Sequence, residues 1–291
     1  MSSFARVVLA LLAIGAACPH PLWAQADEPS IYASVLDRAG APVTGLAATD
    51  FIVRENGADR EVLRASPATE PMRIAVLVDT SQAIEPHISN VRDAVGGFFR
   101  ALKGNAEFAL VGFGERPTVL TDYTHDEARV NEGIGRLFAQ PGSGAYLLDA
   151  IVEVSRGLRA REGVRPIIVV ITAEGAEFSD RYHRTVVEEL RGRVVLHSFV
   201  ITRRGASFRS QAARDRELTL EEGARMTGGR REHLLTSLSL EGRLQELAGE
   251  LQNQYRIEYA RPGALIQPDT IEVRVNRAAW TVRASRVPPG K

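Results

Sequence analysis

The sequence is short of cysteine and has no excess of charge of either sign. Its single cysteine is Cys18, so the chain cannot form an internal disulfide and must hold its fold by core packing. Lysine plus arginine equals aspartate plus glutamate at 36 each, which gives a formal net charge of zero. A protein that binds nucleic acid mainly by neutralising phosphates needs a basic excess. The composition therefore argues against nucleic acid as a partner.

The sequence also lacks the motifs of several common enzyme classes. It has no nucleophile elbow of the form Gly-x-Ser-x-Gly, no phosphate-binding loop ending in Gly-Lys, and no dinucleotide-binding glycine pattern after its first buried strand. The histidines after residue 26 show no zinc-ligand spacing: His87, His125, His183, His197 and His233. His197 lies within an apolar strand, which favours a hydrogen-bonded structural role over a catalytic base. We predict a protein that is not an enzyme.

What is present begins with the pattern of an export signal over residues 1–26. A positive charge precedes a short apolar run at 7–17, and Ala24-Gln25-Ala26 has the small-x-small form of a cleavage site. The run is too short for a membrane span, and an uncleaved anchor is the alternative. Lipid attachment at Cys18 is disfavoured because Gly15 stands where leucine is usual. The sequence predicts an exported protein, periplasmic or secreted, with no membrane span after cleavage.

Residues 72–254 alternate between strand and helix patterns. Segments 74–78 and 166–172 are runs of mostly β-branched apolar residues, as in central strands that are buried on both faces. Helix patterns separate the strands, among them one at 219–227 that ends at Gly228-Gly229. This order predicts an α/β fold, with a doubly wound, mainly parallel sheet and helices on both faces.

The two flanks of this region, residues 27–71 and 255–291, have β patterns. Predicted strands lie at 31–36, 50–55, 61–63, 255–259 and 271–275, with a further segment from Trp280. Asn56-Gly57 is the signal of a tight hairpin turn between the second and third of these strands. Because neither flank has enough strands to close a core, we predict one small β-sandwich with the α/β region inserted. The alternative, two unrelated β appendages, leaves each with an exposed apolar face.

Asp79 and Ser81 follow the first buried strand directly. Ligands of open parallel sheets bind at the carboxyl ends of the strands. Carboxylate and hydroxyl oxygens are ligands that Mg²⁺ or Ca²⁺ prefers, so a metal site is one interpretation of this pair. The other interpretation is that both residues only cap the helix that follows.

Several short motifs, in order, give the chain a resemblance to a known family. They are Val78-Asp79-Thr80-Ser81, Leu148-Asp149-Ala150, Val170-Ile171-Thr172, Thr227-Gly228-Gly229-Arg230 and, in the flanks, Gly45-Leu46, Asp50-Phe51, Glu55-Asn56-Gly57 and residues 254–259. The α/β part resembles a von Willebrand factor type A domain. The whole chain resembles bacterial exported proteins that carry a type A-related domain between β segments. The resemblance implies a type A fold that binds a protein partner.

Family members that bind through a metal use a metal-ion-dependent adhesion site built from three loops. The resemblance places Asp79 and Ser81 in two of its five ligand positions and puts Ala83, Ala145 and Ala173 in the other three. Methyl groups cannot coordinate a hard cation, which wants six or more oxygens. The resemblance therefore implies a degenerate adhesion site and no metal cofactor.

Glu174 offers an alternative to a fully degenerate site. A shift of the third loop by one residue would bring its carboxylate to the aspartate position. Mg²⁺ or Ca²⁺ would then be held by Asp79, Ser81 and Glu174, and adhesion would be metal-dependent.

The one concentrated basic segment covers residues 203–209 and continues to Arg214 and Arg216. Its arginines, Arg203, Arg204 and Arg209 among them, suit bidentate contacts with the carboxylates of an acidic partner. The alternative is a solvated surface loop, which is the usual fate of a long polar connection.

Together these patterns predict an exported, non-enzymatic interaction module. It binds a protein partner, independently of metal, through the loops at the carboxyl edge of its sheet. Two alternatives stay open: metal-dependent adhesion, and a structural scaffold in an envelope assembly whose sandwich makes the contacts. The sequence leaves the ligand and the oligomeric state open.

Overall fold

A computed structural model of the protein describes residues 29–158, 164–202, 210–262 and 266–286. The predicted leader at 1–26 lies outside the described residues. The predicted ligand-face residues Arg203, Arg204 and Arg209 also lie outside them.

The chain forms β-strands and α-helices that we number in chain order. The strands are β1 (Ser30–Leu36), β2 (Phe51–Glu55), β3 (Ala58–Arg60), β4 (Val62–Pro67), β5 (Met72–Val78), β6 (Ala106–Gly112), β7 (Thr118–Thr124), β8 (Arg165–Ala173), β9 (Val195–Ile201), β10 (Arg231–Leu234), β11 (Tyr255–Tyr259), β12 (Ile271–Val275) and β13 (Thr281–Ala284). The α-helices are α1 (Ile88–Leu102), α2 (Glu127–Gly135), α3 (Leu147–Leu158), α4 (His183–Leu190), α5 (Gln211–Thr227) and α6 (Leu240–Gln252). Short 3-10 helices lie at Ala48–Asp50, Gln82–His87 and Ser237–Ser239.

The central sheet has the strand order β10-β9-β8-β5-β6-β7. Every neighbouring pair is parallel except β6 and β7, which are antiparallel. The predicted fold class is confirmed: the sheet is mainly parallel and doubly wound.

Helices cover both faces of this sheet because its central strands are apolar on both faces. On β5, Ile74 and Val76 pack into one core with α1 and α6, whereas Ala75 and Leu77 pack into a second core with α3. All four side chains are buried.

The flanks form two antiparallel sheets, with strand orders β13-β1-β11-β4 and β12-β2-β3. Their inner faces share one apolar core that includes Ile31, Val53 and Ile257. The two flanks therefore pack as one sandwich, as predicted, and are not separate appendages.

The predicted return strand of the first hairpin is wrong in position. Asn56 and Gly57 both have positive φ, at 47° and 83°, as the predicted tight turn requires. A two-residue turn fixes the register, so pairing resumes immediately with β3 rather than at 61–63. Residues from Val62 onward belong to β4, which pairs with β11 in the other sheet.

The predicted start of the helix at Thr219 is also wrong. Helix α5 begins at Gln211, and Ser210 caps it by accepting a hydrogen bond from Ala213 N at 3.1 Å. The residues before Thr219 are charged, and their pattern is typical of a loop. Arg214 and Arg216, predicted to continue a basic surface segment, are helical, and Arg216 is buried.

Buried polar contacts fasten the sandwich to the α/β region. Arg165, at the start of β8, donates to Glu70 O at 3.0 Å and to Leu251 O and Gln254 Oε1 at 2.9 Å. Arg283 of β13 pairs with the buried carboxylate of Glu250 on α6 at 2.6 Å. Within the described parts of the chain, no helix is both long and apolar enough to cross a membrane.

Candidate functional site

Asp79 lies at the carboxyl end of β5 and is fully buried. Its Oδ1 accepts a hydrogen bond from Ser81 N at 2.8 Å. Its Oδ2 accepts from Thr172 Oγ1 at 2.6 Å and from Ala173 N at 3.3 Å. Because β5 and β8 are neighbours in the sheet, the loop after β5 and the last residues of β8 together supply this environment. Both carboxylate oxygens are therefore already bound by the protein itself.

Ser81 lies beside Asp79 and caps the 3-10 helix Gln82–His87. Its Oγ accepts a hydrogen bond from Ala83 N at 3.3 Å. An orphan amide at a helix start is satisfied in this way. Ser81 thus performs the capping role considered from the sequence, and its side chain is buried.

Alanine residues lie where three loops meet: the loop after β5, the loop before α3 and the loop that begins at the end of β8. Ala145 and Ala173 are buried. Ala145 N donates a hydrogen bond to Ala176 O, and Ala145 O accepts one from Phe178 N, each at 2.8 Å. A Cβ added at Gly175 would come within 2.5 Å of the Ala83 methyl group. The loop after β8 therefore packs tightly against the loop after β5, and the residues at this contact, Gly175 and Ala83, are small.

Arg216 reaches this cluster from α5. Its Nη2 donates to Thr172 Oγ1 at 2.6 Å and to Ala173 O at 2.8 Å. The Thr172 hydroxyl in turn donates a hydrogen bond to Asp79 Oδ2, so the three side chains form a chain of hydrogen bonds. A guanidinium is always charged, and this one brings a fixed positive charge to the carboxyl edge of the sheet.

Glu177 is the second buried carboxylate of the cluster. Its Oε1 accepts hydrogen bonds from Leu147 N at 3.1 Å, at the start of α3, and from Ser179 N at 3.2 Å. Its Oε2 has no hydrogen-bond partner among the described residues. Burial raises the pKa of Glu177, while the charge of Arg216 and the hydrogen bonds from Ser179 act to lower it.

The sequence predicts Arg216 to be part of a basic surface segment, which is wrong because its side chain is buried, and it does not single out Glu177. A helical periodicity could have identified Arg216, because it shares a face with the buried residues Thr219, Leu220 and Gly223 on α5. Nothing comparable marks Glu177, whose Oε1 accepts from Leu147 N at the start of α3 and from Ser179 N two residues further along its own loop. We call Asp79, Thr172, Glu177 and Arg216 the buried charge cluster.

Large apolar side chains surround this cluster on the loops at the carboxyl edge. The exposed ones are Phe138 (62%), Phe178 (53%), Tyr182 (71%), Leu235 (92%) and Leu238 (77%). The loops that carry them precede α3, follow β8 and follow β10. We call these five residues the loop rim.

Two members of the loop rim are held by other side chains. The guanidinium of Arg92 on α1 lies 4.6 Å from the centre of the Phe138 ring. Tyr146 and Phe178 meet edge to face, with ring centres 6.1 Å apart. Both rings therefore contact a neighbouring side chain while more than half of their surface stays exposed.

Residues 74–176 match the family model described as the von Willebrand factor type A domain. That match runs from β5 to the loop after β8 and includes Asp79, Ala83, Ala145, Ala173 and Glu174. The chain contains a von Willebrand factor type A-related domain. Domains of this family generally mediate protein interactions and are typically non-enzymatic.

Solved structures show the same fold. One is described as von Willebrand factor type A from Catenulispora acidiphila, with a TM-score of 0.54 and 11% identity, and covers 91% of this chain and 74% of that one. Another is proximal thread matrix protein 1 from the mussel byssus, with a TM-score of 0.50 and 15% identity over 64% of this chain and 49% of that one. Both identities are low, so these likenesses show the fold alone. No curated protein matches the chain.

The type A domain places Glu174 one residue beyond β8. Glu174 is half-buried, and its backbone N donates to Ile201 O at 3.0 Å. Within the described ranges, no group of three or more histidine, cysteine, aspartate or glutamate side chains is arranged to hold a metal ion.

Other motif residues of the type A domain hold its elements together. Asp149 of α3 pairs with Arg181 of the loop after β8. At the end of α5, Thr227 Oγ1 accepts from Leu196 N at 2.9 Å and donates to Gly223 O at 2.8 Å. These motifs therefore position the loops and are not themselves on the exposed rim.

His197 on β9 is part of the same framework. Burial, followed by the nearby charges of Arg283 and Arg230, lowers its pKa to about 3. Its Nδ1 accepts a hydrogen bond from Arg230 N at 3.0 Å. The imidazole is therefore neutral and structural at physiological pH, as the sequence predicted.

Proposed function

We propose that this protein is an exported, non-enzymatic module that binds a protein partner through the loop rim of its type A domain, without a metal ion. Export is supported by the signal pattern at residues 1–26. Non-enzymatic protein binding follows the general role of the family. The remaining steps concern this chain's own residues.

The loop rim is the observation that carries the proposal. Among the described residues there are nine large exposed apolar side chains, and five of them lie on this one edge. Aromatic side chains are enriched at protein interfaces because they bury a large area with little loss of side-chain freedom. Their clustering around the family's ligand-binding edge supports a docking surface for a folded partner.

Metal independence is supported by the buried charge cluster. Both oxygens of Asp79 accept hydrogen bonds from the protein, and the guanidinium of Arg216 already places a positive charge beside them. A divalent cation brought to the same place would be repelled by Arg216. It would also find methyl groups at Ala83, Ala145 and Ala173 where it needs oxygen ligands.

Site-specific photocrosslinking in the native host tests this proposal. A photoreactive amino acid replaces Tyr182 or Leu235 on the rim, and Leu63 on β4 of the sandwich is the control because its side chain is also exposed (43%). We expect a discrete partner protein to crosslink at both rim positions and not at Leu63. We expect the same crosslinks in the presence of a chelator.

Three outcomes would contradict the proposal. Crosslinks that a chelator abolishes would favour metal-dependent adhesion through Asp79, Ser81 and Glu174. Crosslinks that form equally at Leu63 would show that contact is not specific to the rim. The absence of rim crosslinks would favour a scaffold whose contacts lie elsewhere.

A further inference from the structure

A second surface lies far from the loop rim, in a groove of about 590 Å³ between α5, β12 and β13. Its floor consists of apolar side chains from the open side of the sandwich: Val273, Val275, Trp280, Val282 and Ala284. Arginines line it: Arg54, Arg225, Arg274, Arg277 and Arg286. We call this surface the arginine groove.

The arginine groove has an unbalanced positive charge. Arg54 pairs with Asp59 at 2.6 Å, and Arg274 pairs with Glu272 at 2.5 Å. Arg225, Arg277 and Arg286 are exposed and make no ion pair with a carboxylate in the described parts of the chain. Since the whole chain has zero net charge, this local excess is not a general property of the surface.

The backbone at this groove is also incompletely paired. Strand β12 pairs with β2 alone and β13 pairs with β1 alone, so both are edge strands of their sheets within the described ranges. One hydrogen bond, from Ile271 N to Arg286 O at 2.8 Å, joins the two segments at one end. Exposed edge strands are places where an extended segment of another chain adds by backbone pairing.

An apolar floor between arginines specifies the chemistry of the occupant. Alternating side chains of an extended peptide point to opposite sides, so one set can cover the floor while the other reaches the arginines. Arginine binds carboxylates through paired N–H donors. The guanidinium of Arg277 lies 5.0 Å from the centre of the Trp280 ring, so its positive charge lies directly beside the apolar floor.

We propose that the arginine groove binds an extended acidic segment of a partner protein. The groove lies at the carboxyl end of α5, whereas the loop rim lies at the edge from which α5 begins. The two surfaces are thus at opposite ends of this helix and can be occupied together. The arginine groove does not depend on the function proposed for the rim.

Fluorescence anisotropy on the full chain tests the groove with a defined probe. The probe is a labelled ten-residue peptide that alternates glutamate and valine, compared with a matched lysine–valine peptide and a single-stranded oligonucleotide of the same length. We expect the glutamate peptide alone to bind. In the double variant Arg225→Gln, Arg286→Gln we expect its affinity to fall at least about tenfold, since two charge-assisted contacts are lost.

A matched double variant controls for the loss of charge. Arg100 and Arg184 are exposed arginines on α1 and α4, away from the groove. Changing both to glutamine removes the same charge and should alter peptide affinity less than about twofold. Thermal unfolding of each variant verifies that the fold is intact, and the exposed positions make this the expected result.

The proposal is overturned if the glutamate peptide fails to bind at millimolar concentration, or if both double variants weaken it equally. Equal or tighter binding of the oligonucleotide would assign the groove to nucleic acid instead. None of these outcomes bears on crosslinking at Tyr182 or Leu235, so the two surfaces are tested separately.

Discussion

Arg216 lies on α5, and its side chain reaches the carboxyl edge of the central sheet, where it binds Thr172 and Ala173 at the end of β8. Its guanidinium is linked through Thr172 to Asp79, and its charge acts on Glu177. Two buried carboxyl groups thus share one internal cation. A buried charge is tolerated only when charges and hydrogen bonds compensate it.

Replacing Arg216 with methionine should lower the free energy of unfolding by about 3 kcal/mol, because buried carboxyl groups lose their compensating charge. Denaturant unfolding at neutral pH measures this. Arg214→Met is the matched control, since Arg214 is exposed and lies two residues away on the same helix. An equal effect of the two substitutions would show that Arg216 does not compensate the cluster.

Glu177→Gln tests the electrostatics of the cluster through pH. Burial raises the pKa of Glu177 in the folded protein, so folding favours its protonated form. The stability that this group contributes is present below its unfolded pKa of about 4.3 and is lost as the pH rises through the folded pKa. Glutamine does not titrate, and its amide oxygen can still accept from Leu147 N and Ser179 N.

The free energy of unfolding of Glu177→Gln, minus that of the wild type, should therefore increase from pH 4 to pH 7. Urea unfolding at several pH values measures the difference. A difference that stays constant would show that folding does not shift the pKa of Glu177, and one that decreases with rising pH would show that folding favours the ionised carboxylate.

Sequence reasoning found the residues of the site that follow directly from the strand pattern. Asp79 and Ser81 were placed at the carboxyl edge because a continuous apolar run ends at Val78. The buried position of Arg216 and the role of Glu177 are not predicted, because both depend on contacts with segments 30 or more residues away. Helical periodicity would have placed Arg216 on the buried face of α5, whereas Glu177 lies in a loop and has no such local signal.

At the scale of elements, the end of α5 determines how the sandwich meets the type A domain. Gly228 has φ +77°, and a Cβ at this position would come within 2.2 Å of the Ala284 backbone on β13. Gly228→Ala should therefore lower the free energy of unfolding by at least about 2 kcal/mol, through backbone strain and steric overlap.

Gly249 of α6 supplies a matched control for this prediction. Among the described residues, no atom other than those of the neighbouring residues and of the helix's own backbone lies within 4 Å of an added Cβ at Gly249. Since alanine is favoured over glycine inside a helix, Gly249→Ala should raise the free energy of unfolding by about 0.5–1 kcal/mol. Denaturant unfolding of both variants compares the signs, and two changes of the same sign would contradict this account of Gly228.

The elements themselves were predictable where one local pattern dominates. The buried strands β5 and β8 and the Asn56-Gly57 turn were found because apolar runs and positive-φ residues are local signals. The start of α5 and the division between β3 and β4 could not be predicted from such local signals. In both cases, packing against distant segments decides the structure, through the burial of Arg216 and the pairing of β4 with β11.

At the scale of the whole molecule, the sandwich and the type A domain share a junction of buried polar contacts. Arg165 bridges Glu70, Leu251 and Gln254, and Arg283 of β13 pairs with Glu250. Loss of the sandwich would leave Glu250 without this arginine. We therefore expect the two parts to unfold together.

Trp280 lies in the sandwich and allows this to be measured. With Trp23 changed to phenylalanine it is the single tryptophan of the chain, and the helices of the type A domain dominate the far-ultraviolet circular dichroism. The two signals should show coincident denaturant transitions. A fluorescence transition at lower denaturant would show that the sandwich unfolds independently.

Arg216 places a guanidinium at the carboxyl edge of the sheet, beside Thr172 and Ala173, and we propose that this edge needs no metal ion. The most direct test compares thermal unfolding midpoints in millimolar Mg²⁺, Ca²⁺ or Mn²⁺ with those in chelator. A metal bound to the folded state at a hundredfold excess over its Kd would add about 2.7 kcal/mol of stability. We expect no shift in the wild type. A metal-dependent increase that disappears in Asp79→Asn would contradict the claim and assign the edge to a functioning metal site.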